Sequence, residues 1–331
     1  MTEPEDTTES ILEGVKVAQI YASTQYPIVS AYEFEFLKGE EIIRQRLNNC
    51  TIYIIAQRPL TYFDNVCLDN GLIEFDITDG TQDPLHCRVS LIENNICAAD
   101  EVVDIDVQFF SKEPGKERPF RDVGALKVYK LDGTFVLWWS PQKFLYEVIV
   151  KNLSAEIMGD PMRFLDFKVH YIGKAFSQKV WDRLAGHDKM QRILTMEGPL
   201  GSPVSRAPFE ISLIMLDIVG LDDAVEIPYA GMTARPGVNP ILHKVDLDDD
   251  EAFERFLHQP LVQLRDEALT LETEAFLIRQ FRPAYNEVLY ENYPNIKNGM
   301  RSKGSSYTDL VVERLPAILR TDHYDAGVGD S

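Results

Sequence analysis

The stretch "EAFLIRQFRPAYN", Glu274–Asn286, sets a carboxylate inside an apolar helical run and ends that run at a proline. At 100° per residue, Leu271, Leu277, Ile278 and Phe281 stand at offsets −3, +3, +4 and +7 from Glu274, so the carboxylate occupies the centre of the apolar stripe. Glu272, Arg279 and Gln280 take the opposite face, where a solvated glutamate would be expected. An ionised carboxylate without partners on the buried stripe costs several kcal/mol, so Glu274 is expected to be paired, protonated or bound to a metal. Pro283 disfavours helix at Arg282, which predicts that the chain leaves the helix there and carries Tyr285 and Asn286 across its end.

Outward from this stretch the chain has two textures. From Ile11 to about Leu145 it is rich in short β-like runs, among them "TIYIIAQ", "LIEFDI", "HCRVSLI", "VVDIDVQFF", "ALKVYKL" and "TFVLWWS". Turn signals such as "LDNG" and "LDG" separate them. Residues 11–145 therefore read as a mainly antiparallel β-rich domain after a disordered tail, 1–10. Beyond it, "FLDFKVHYIG" alternates as a strand and Ser177 is an N-cap for "QKVWDRLAGHDKMQRIL". "FEISLIMLDIVG" reads as a buried strand, and 221–262 as an irregular insertion ahead of the Glu274 helix. Residues 296–331 read as an extension of loop and short helix with a disordered end.

Composition bounds the function. With 331 residues, 45% of them hydrophobic, the chain can bury cores for two compact units. No apolar run approaches the roughly 20 residues of a membrane span, and "MTEPEDTTES" lacks the basic and apolar regions of a secretory signal. A cytoplasmic protein is expected, with no membrane partner. Cys50, Cys67, Cys87 and Cys97 are too scattered for a zinc knuckle and too few for a disulfide scaffold. The net charge of −20 argues against broad attraction to nucleic acid, yet 161–220 and 276–320 hold more bases than acids.

Two blocks carry a family resemblance. "EAFLIRQFRPAYN" is similar to the closing helix of the GIY-YIG nucleases, above all that of the excision-repair endonucleases. "VHYIGKA" contains that family's Tyr-Ile-Gly as Tyr171, Ile172 and Gly173, at the end of a strand and followed by Lys174. On the next helix "VWDRLAGH" supplies Arg183 where the family has an arginine, and His187 one turn on, where relatives carry tyrosine or histidine. The resemblance implies an α+β fold with a GIY-YIG-like domain at 146–295, a small antiparallel sheet flanked by helices. It also implies phosphodiester hydrolysis, in DNA by family precedent, at one Mg2+ or Mn2+.

In that reading Glu274 is the metal ligand, Arg183 stabilises transition-state charge, and Tyr171 with His187 orients or deprotonates the attacking water. Lys174 holds a phosphate and Asn286 braces the site. Taken one at a time, Tyr171 fits a half-buried strand aromatic, Arg183 and His187 an exposed helix row, and Lys174 a plain surface lysine. The family's first motif, Gly-Ile-Tyr on a preceding strand, has no literal counterpart in 144–167, where Tyr146 is the only tyrosine. A catalytically silent binding module of the same fold is therefore the second expectation. The β-rich domain is expected to recognise the target, a protein partner or a second copy of the chain.

Overall fold

The computed structural model describes residues 14–24, 28–31, 33–34, 41–110, 115, 117–175, 180, 183, 188–197, 209–228, 267–290, 296–305, 307–313 and 315–327. The fold is α+β with strands predominating. The strands are, in chain order, β1 (Gly14–Thr24), β2 (Val29–Ser30), β3 (Ile52–Pro59), β4 (Tyr62–Asp69), β5 (Leu72–Thr78), β6 (Leu85–Ser90), β7 (Val103–Phe109), β8 (Val123–Lys130), β9 (Phe135–Trp139), β10 (Glu156–Met158), β11 (Asp166–Lys174), β12 (Phe209–Pro228), β13 (Tyr307–Glu313), β14 (Ile318–Arg320) and β15 (Asp325–Ala326). Helices α1 (Glu41–Leu47), α2 (Pro141–Ile149), α3 (Asp188–Met196) and α4 (Glu267–Phe281) accompany them.

Two sheets result. One runs β13-β1-β12-β3-β11-β14-β15, with β2 also paired to β12; the other runs β10-β6-β5-β4-β8-β7, with β9 on β8. The second sheet is antiparallel throughout; β5 to β9 are runs read as strands in the sequence, whereas β4 and β10 lie outside those runs and the run of β3 belongs to the first sheet. Its β4–β5 hairpin closes through Asn70 and Gly71, both at positive φ (45° and 78°), as a two-residue Asn-Gly turn requires.

The sheets do not follow the boundary expected at 145/146. β1, β2 and β3 leave the N-terminal part to pair with β11 and β12, and β3 lies between those two strands. With "IYIIA" buried on both faces, β3 behaves as the centre of a sheet and not as a member of a one-faced antiparallel domain. Two further expectations change. β12 runs on to Pro228, so the first residues of the expected insertion are sheet. The expected C-terminal extension supplies three strands: β13 pairs parallel with β1, β14 pairs parallel with β11, and β15 closes on β14. The expected tail at 1–10 and the remainder of the insertion, 229–262, lie outside the described residues.

Both faces of the first sheet are covered. On one, Ile52, Ile54, Ile172 and Leu216 join Leu277, Ile278 and Phe281 of α4 in a core that continues into the second sheet through Phe63, Phe75, Trp139 and Phe144. The aromatic rings there meet edge to face, at 4.6 Å for Phe63–Phe75 and 4.9 Å for Phe75–Phe144. On the other face a smaller cluster holds Tyr53, Ile55, Leu213 and Met215 against Leu47 of α1 and Ile193 of α3. Among the described residues no helix is long and apolar enough to cross a membrane.

Arg58, near the end of β3, ties the first sheet to the segments that connect it with the second. Its guanidinium donates to Glu210 Oε1 (2.5 Å), the Phe164 carbonyl (2.8 Å) and Thr61 Oγ1 (2.8 Å). Burial pushes the Glu210 carboxyl above its ordinary value, and Arg58 opposes that push. Truncation would strand a buried acid, so Arg58→Ala is expected to lower unfolding stability by about 3–5 kcal/mol in urea denaturation, far more than an exposed arginine substitution.

Candidate functional site

The site starts from the pairing of β3 with β11. Their antiparallel ladder sets Tyr53 opposite Gly173 and Ile55 opposite Tyr171. His170 is the extra residue of a bulge between Val169 and Tyr171. Without it, strand alternation would keep Val169 and Tyr171 on one face. With it, Val169 packs in the main core and Tyr171 moves to the opposite face, beside Tyr53. The two tyrosine rings lie 6.1 Å apart, tilted by 35°.

Gly173 makes that arrangement possible. A Cβ at this position would stand 2.6 Å from the Tyr53 hydroxyl and 2.7 Å from the Tyr171 ring, so both rings lie over its Cα. The Arg183 guanidinium hydrogen-bonds the Tyr53 hydroxyl, and that bond chiefly raises the arginine's pKa. Burial, then the neighbouring Tyr171 hydroxyl, push the Tyr53 hydroxyl above the usual tyrosine value, with Arg183 pulling the other way. Tyr53 is therefore a neutral phenol at pH 7, fully buried, with its hydroxyl engaged by Arg183 and Tyr171.

On the α4 side, Glu274 is buried, as its place on the apolar stripe predicts, and its Oε2 is in direct contact with Lys174 Nζ. The carboxylate side chain is 9% exposed and the lysine 37%. Tyr290, held at φ 48°, links this pair to the tyrosines: its hydroxyl is within electrostatic reach of Glu274, Lys174 and Tyr171. Burial first, and Glu274 second, push that hydroxyl up.

The turn after α4 fixes both halves. Helix α4 stops at Phe281, as the proline predicts, and Arg282 leaves it through a left-handed φ of 49°, not the extended conformation usual before a proline. The chain then folds back along β11. Tyr285 N donates to the His170 carbonyl (3.1 Å), while Asn286 Oδ1 accepts from Ile172 N (3.0 Å) and Asn286 Nδ2 donates to the Ile172 carbonyl (2.8 Å). One amide side chain thereby satisfies both backbone groups of the central residue of Tyr-Ile-Gly, where β14 no longer pairs. His170 itself is structural. Buried, with its pKa lowered to about 4 chiefly by burial, it is neutral and pairs through Nε2 with Gln57 Oε1 at 2.7 Å.

Of the residues singled out in the sequence, the fold brings Lys174 into contact with Glu274, puts both and Tyr171 within electrostatic reach of Tyr290, joins Arg183 through Tyr53, and sets Asn286 behind Ile172. His187 lies outside the described residues. Tyr146, the only tyrosine upstream in 144–167, is a buried residue of α2 and takes no part. Tyr53 was missed, although "TIYIIA" had the strand signal; its distance from Tyr171 in sequence hid the pairing. Glu272 departs from its expected solvent face. It is fully buried because the loop at 296–305 covers that side of α4, and its Oε1 accepts from Arg301 N at 3.4 Å.

No group of three or more His, Cys, Asp or Glu residues able to hold a metal occurs among the described residues. Glu274 alone does fit a hard cation of the Mg2+ kind, which commonly binds through one or two carboxylates and completes its shell with water and substrate phosphate. No protein family, curated protein or solved structure matches the chain.

Gly173→Ala drives a methyl group into two rings. It is expected to cost about 1–3 kcal/mol in urea denaturation and to change the near-ultraviolet tyrosine dichroism. An unchanged spectrum and midpoint would mean that the rings do not rest on this glycine.

Proposed function

We propose that the chain is a metal-dependent endonuclease of the GIY-YIG type that hydrolyses phosphodiester bonds in DNA. The observation that carries this reading is the pairing of Tyr53 with Tyr171 over Gly173 on adjacent antiparallel strands. Ile52-Tyr53 stands where the family's first motif belongs, with Thr51 at the glycine position. The seven strands β4–β10 are then an insertion between the two motif strands, which explains why the first motif is not found just upstream of Tyr171.

In this reading each side chain has a task. Arg183, fixed by Tyr53, faces the phosphoryl oxygens and offsets the negative charge that grows on them. The Tyr171 hydroxyl, partly exposed and backed by the buried Tyr53, holds and orients the attacking water, with His187 assigned beside it by resemblance. Lys174 binds a phosphate oxygen. Glu274 would hold Mg2+ or Mn2+, which when bound would supply Lewis-acid polarisation of the phosphate and charge stabilisation at the leaving oxygen. Asn286 keeps the backbone between Tyr171 and Gly173 in place. The inserted sheet supplies recognition of the target or of a partner.

The second reading, a silent binding module, draws on the contact between Lys174 and Glu274, which already neutralises the candidate metal ligand. Incubation of the protein with plasmid and single-stranded DNA separates the two. Cleavage is expected with Mg2+ or Mn2+ and none with chelator, and Glu274→Ala and Arg183→Ala should each slow it about 100-fold or more. DNA binding without cleavage would establish the binding module, and variants that cut as fast as the parent would remove these residues from the chemistry.

A further inference from the structure

The Lys174–Glu274 pair joins a fixed group to a movable one. Glu274 is carried by α4, anchored through buried Ala275, Leu277 and Ile278. Its backbone cannot shift without unpacking the helix, and its side chain is only 9% exposed. Lys174 is the last residue of β11; the next residue, Ala175, is tied by its N–H to the Thr51 carbonyl (2.8 Å), but the lysine side chain is 37% exposed. A four-carbon stem at the open end of a strand can swing away at little cost.

Their charges make the occupancy exclusive. A nearly buried carboxylate needs a counter-charge, and in the free protein the ammonium supplies it. A divalent cation on the same carboxylate would face that ammonium at contact range, where like charges repel by several kcal/mol unless one departs. The displaced ammonium would then lie beside a cation with no anion of its own, close to the Tyr171 and Tyr290 hydroxyls. An anionic oxygen entering there meets both.

We propose that Lys174 is a tethered counter-cation that holds the Glu274 carboxylate in the free protein and is handed to a substrate phosphate oxygen when a divalent cation takes Glu274. The inference rests on the reading of Glu274 as a metal ligand and adds a coupling to it: cation and phosphate each strengthen the other's binding through one lysine.

The test needs no cleavage. Mn2+ binding is followed by the loss of the free-ion electron paramagnetic resonance signal in the parent, Lys174→Met and Glu274→Gln, and the reactivity of Lys174 toward an amine-directed reagent is read by mass spectrometry with and without saturating Mn2+. Removal of the competing cation should tighten Mn2+ binding about tenfold in Lys174→Met. In the parent, Mn2+ should speed modification of Lys174 several-fold, and inorganic phosphate should reverse that gain while tightening Mn2+. Mn2+ binding that requires Glu274 but leaves Lys174 reactivity and the Lys174→Met affinity unchanged would overturn the exchange and leave the metal reading standing. If neither the parent nor Lys174→Met binds Mn2+, both fall together.

Discussion

The register of β3 against β11 is the constraint on which the rest depends. Because side chains alternate along a strand, a slip of one residue would turn Tyr53 into the main core and push Ile52 or Ile54 to the other face. Three features hold the register: the apolar sets on both faces of β3, the bulge at His170, and the glycine opposite Tyr53 that leaves room for two rings. The bulge has a further effect, since it moves Tyr171 out of the face occupied by Val169. A structural irregularity thus brings two polar rings together in a region that regular pleating would have kept apolar.

Around that ladder, stability and chemistry use the same parts. The helix that carries Glu274 is held by Leu277, Ile278 and Phe281, and the turn that ends it returns Asn286 to the backbone of Ile172. Two hydrogen bonds of this kind contribute about 1 kcal/mol each, modest beside the apolar core, but they satisfy a strand edge that would otherwise lack partners. The buried charges follow one rule at two places. Glu210 is matched by Arg58, whose planar guanidinium makes three hydrogen bonds and leaves little freedom, whereas Glu274 is matched by a lysine at the surface. The first pair is built to stay and the second has a partner able to move.

What could be read in the sequence was local. The Glu274 stripe, the proline stop at Arg282–Pro283 and the strand holding Tyr-Ile-Gly depend on periodicity and on φ restrictions within a few residues, and the structure has each of them. The α+β class, expected from the resemblance, is the class of the structure. Pairing across long separations was not legible: β3 meets β11 only after seven intervening strands, and β13 and β14 enter by parallel pairing that no hairpin signal announces. Glu272 shows the same limit. A helical wheel marks the face opposite the stripe as solvent, but a loop from beyond the helix covers it. Tyr53 lay within a run recognised as a strand, and what was missing was its neighbour.

The central claim is that Tyr171 and Arg183, both positioned by the buried Tyr53, form the reacting face of a phosphodiesterase site. Tyr53→Phe keeps the ring over Gly173 and removes only the hydroxyl that Arg183 holds, so folding should be little changed. The most direct measurement is its rate of plasmid cleavage with Mg2+ beside that of the parent protein. A fall of about 100-fold at nearly unchanged denaturation midpoint is the predicted result; a Tyr53→Phe protein that cleaves at the parent rate would contradict it.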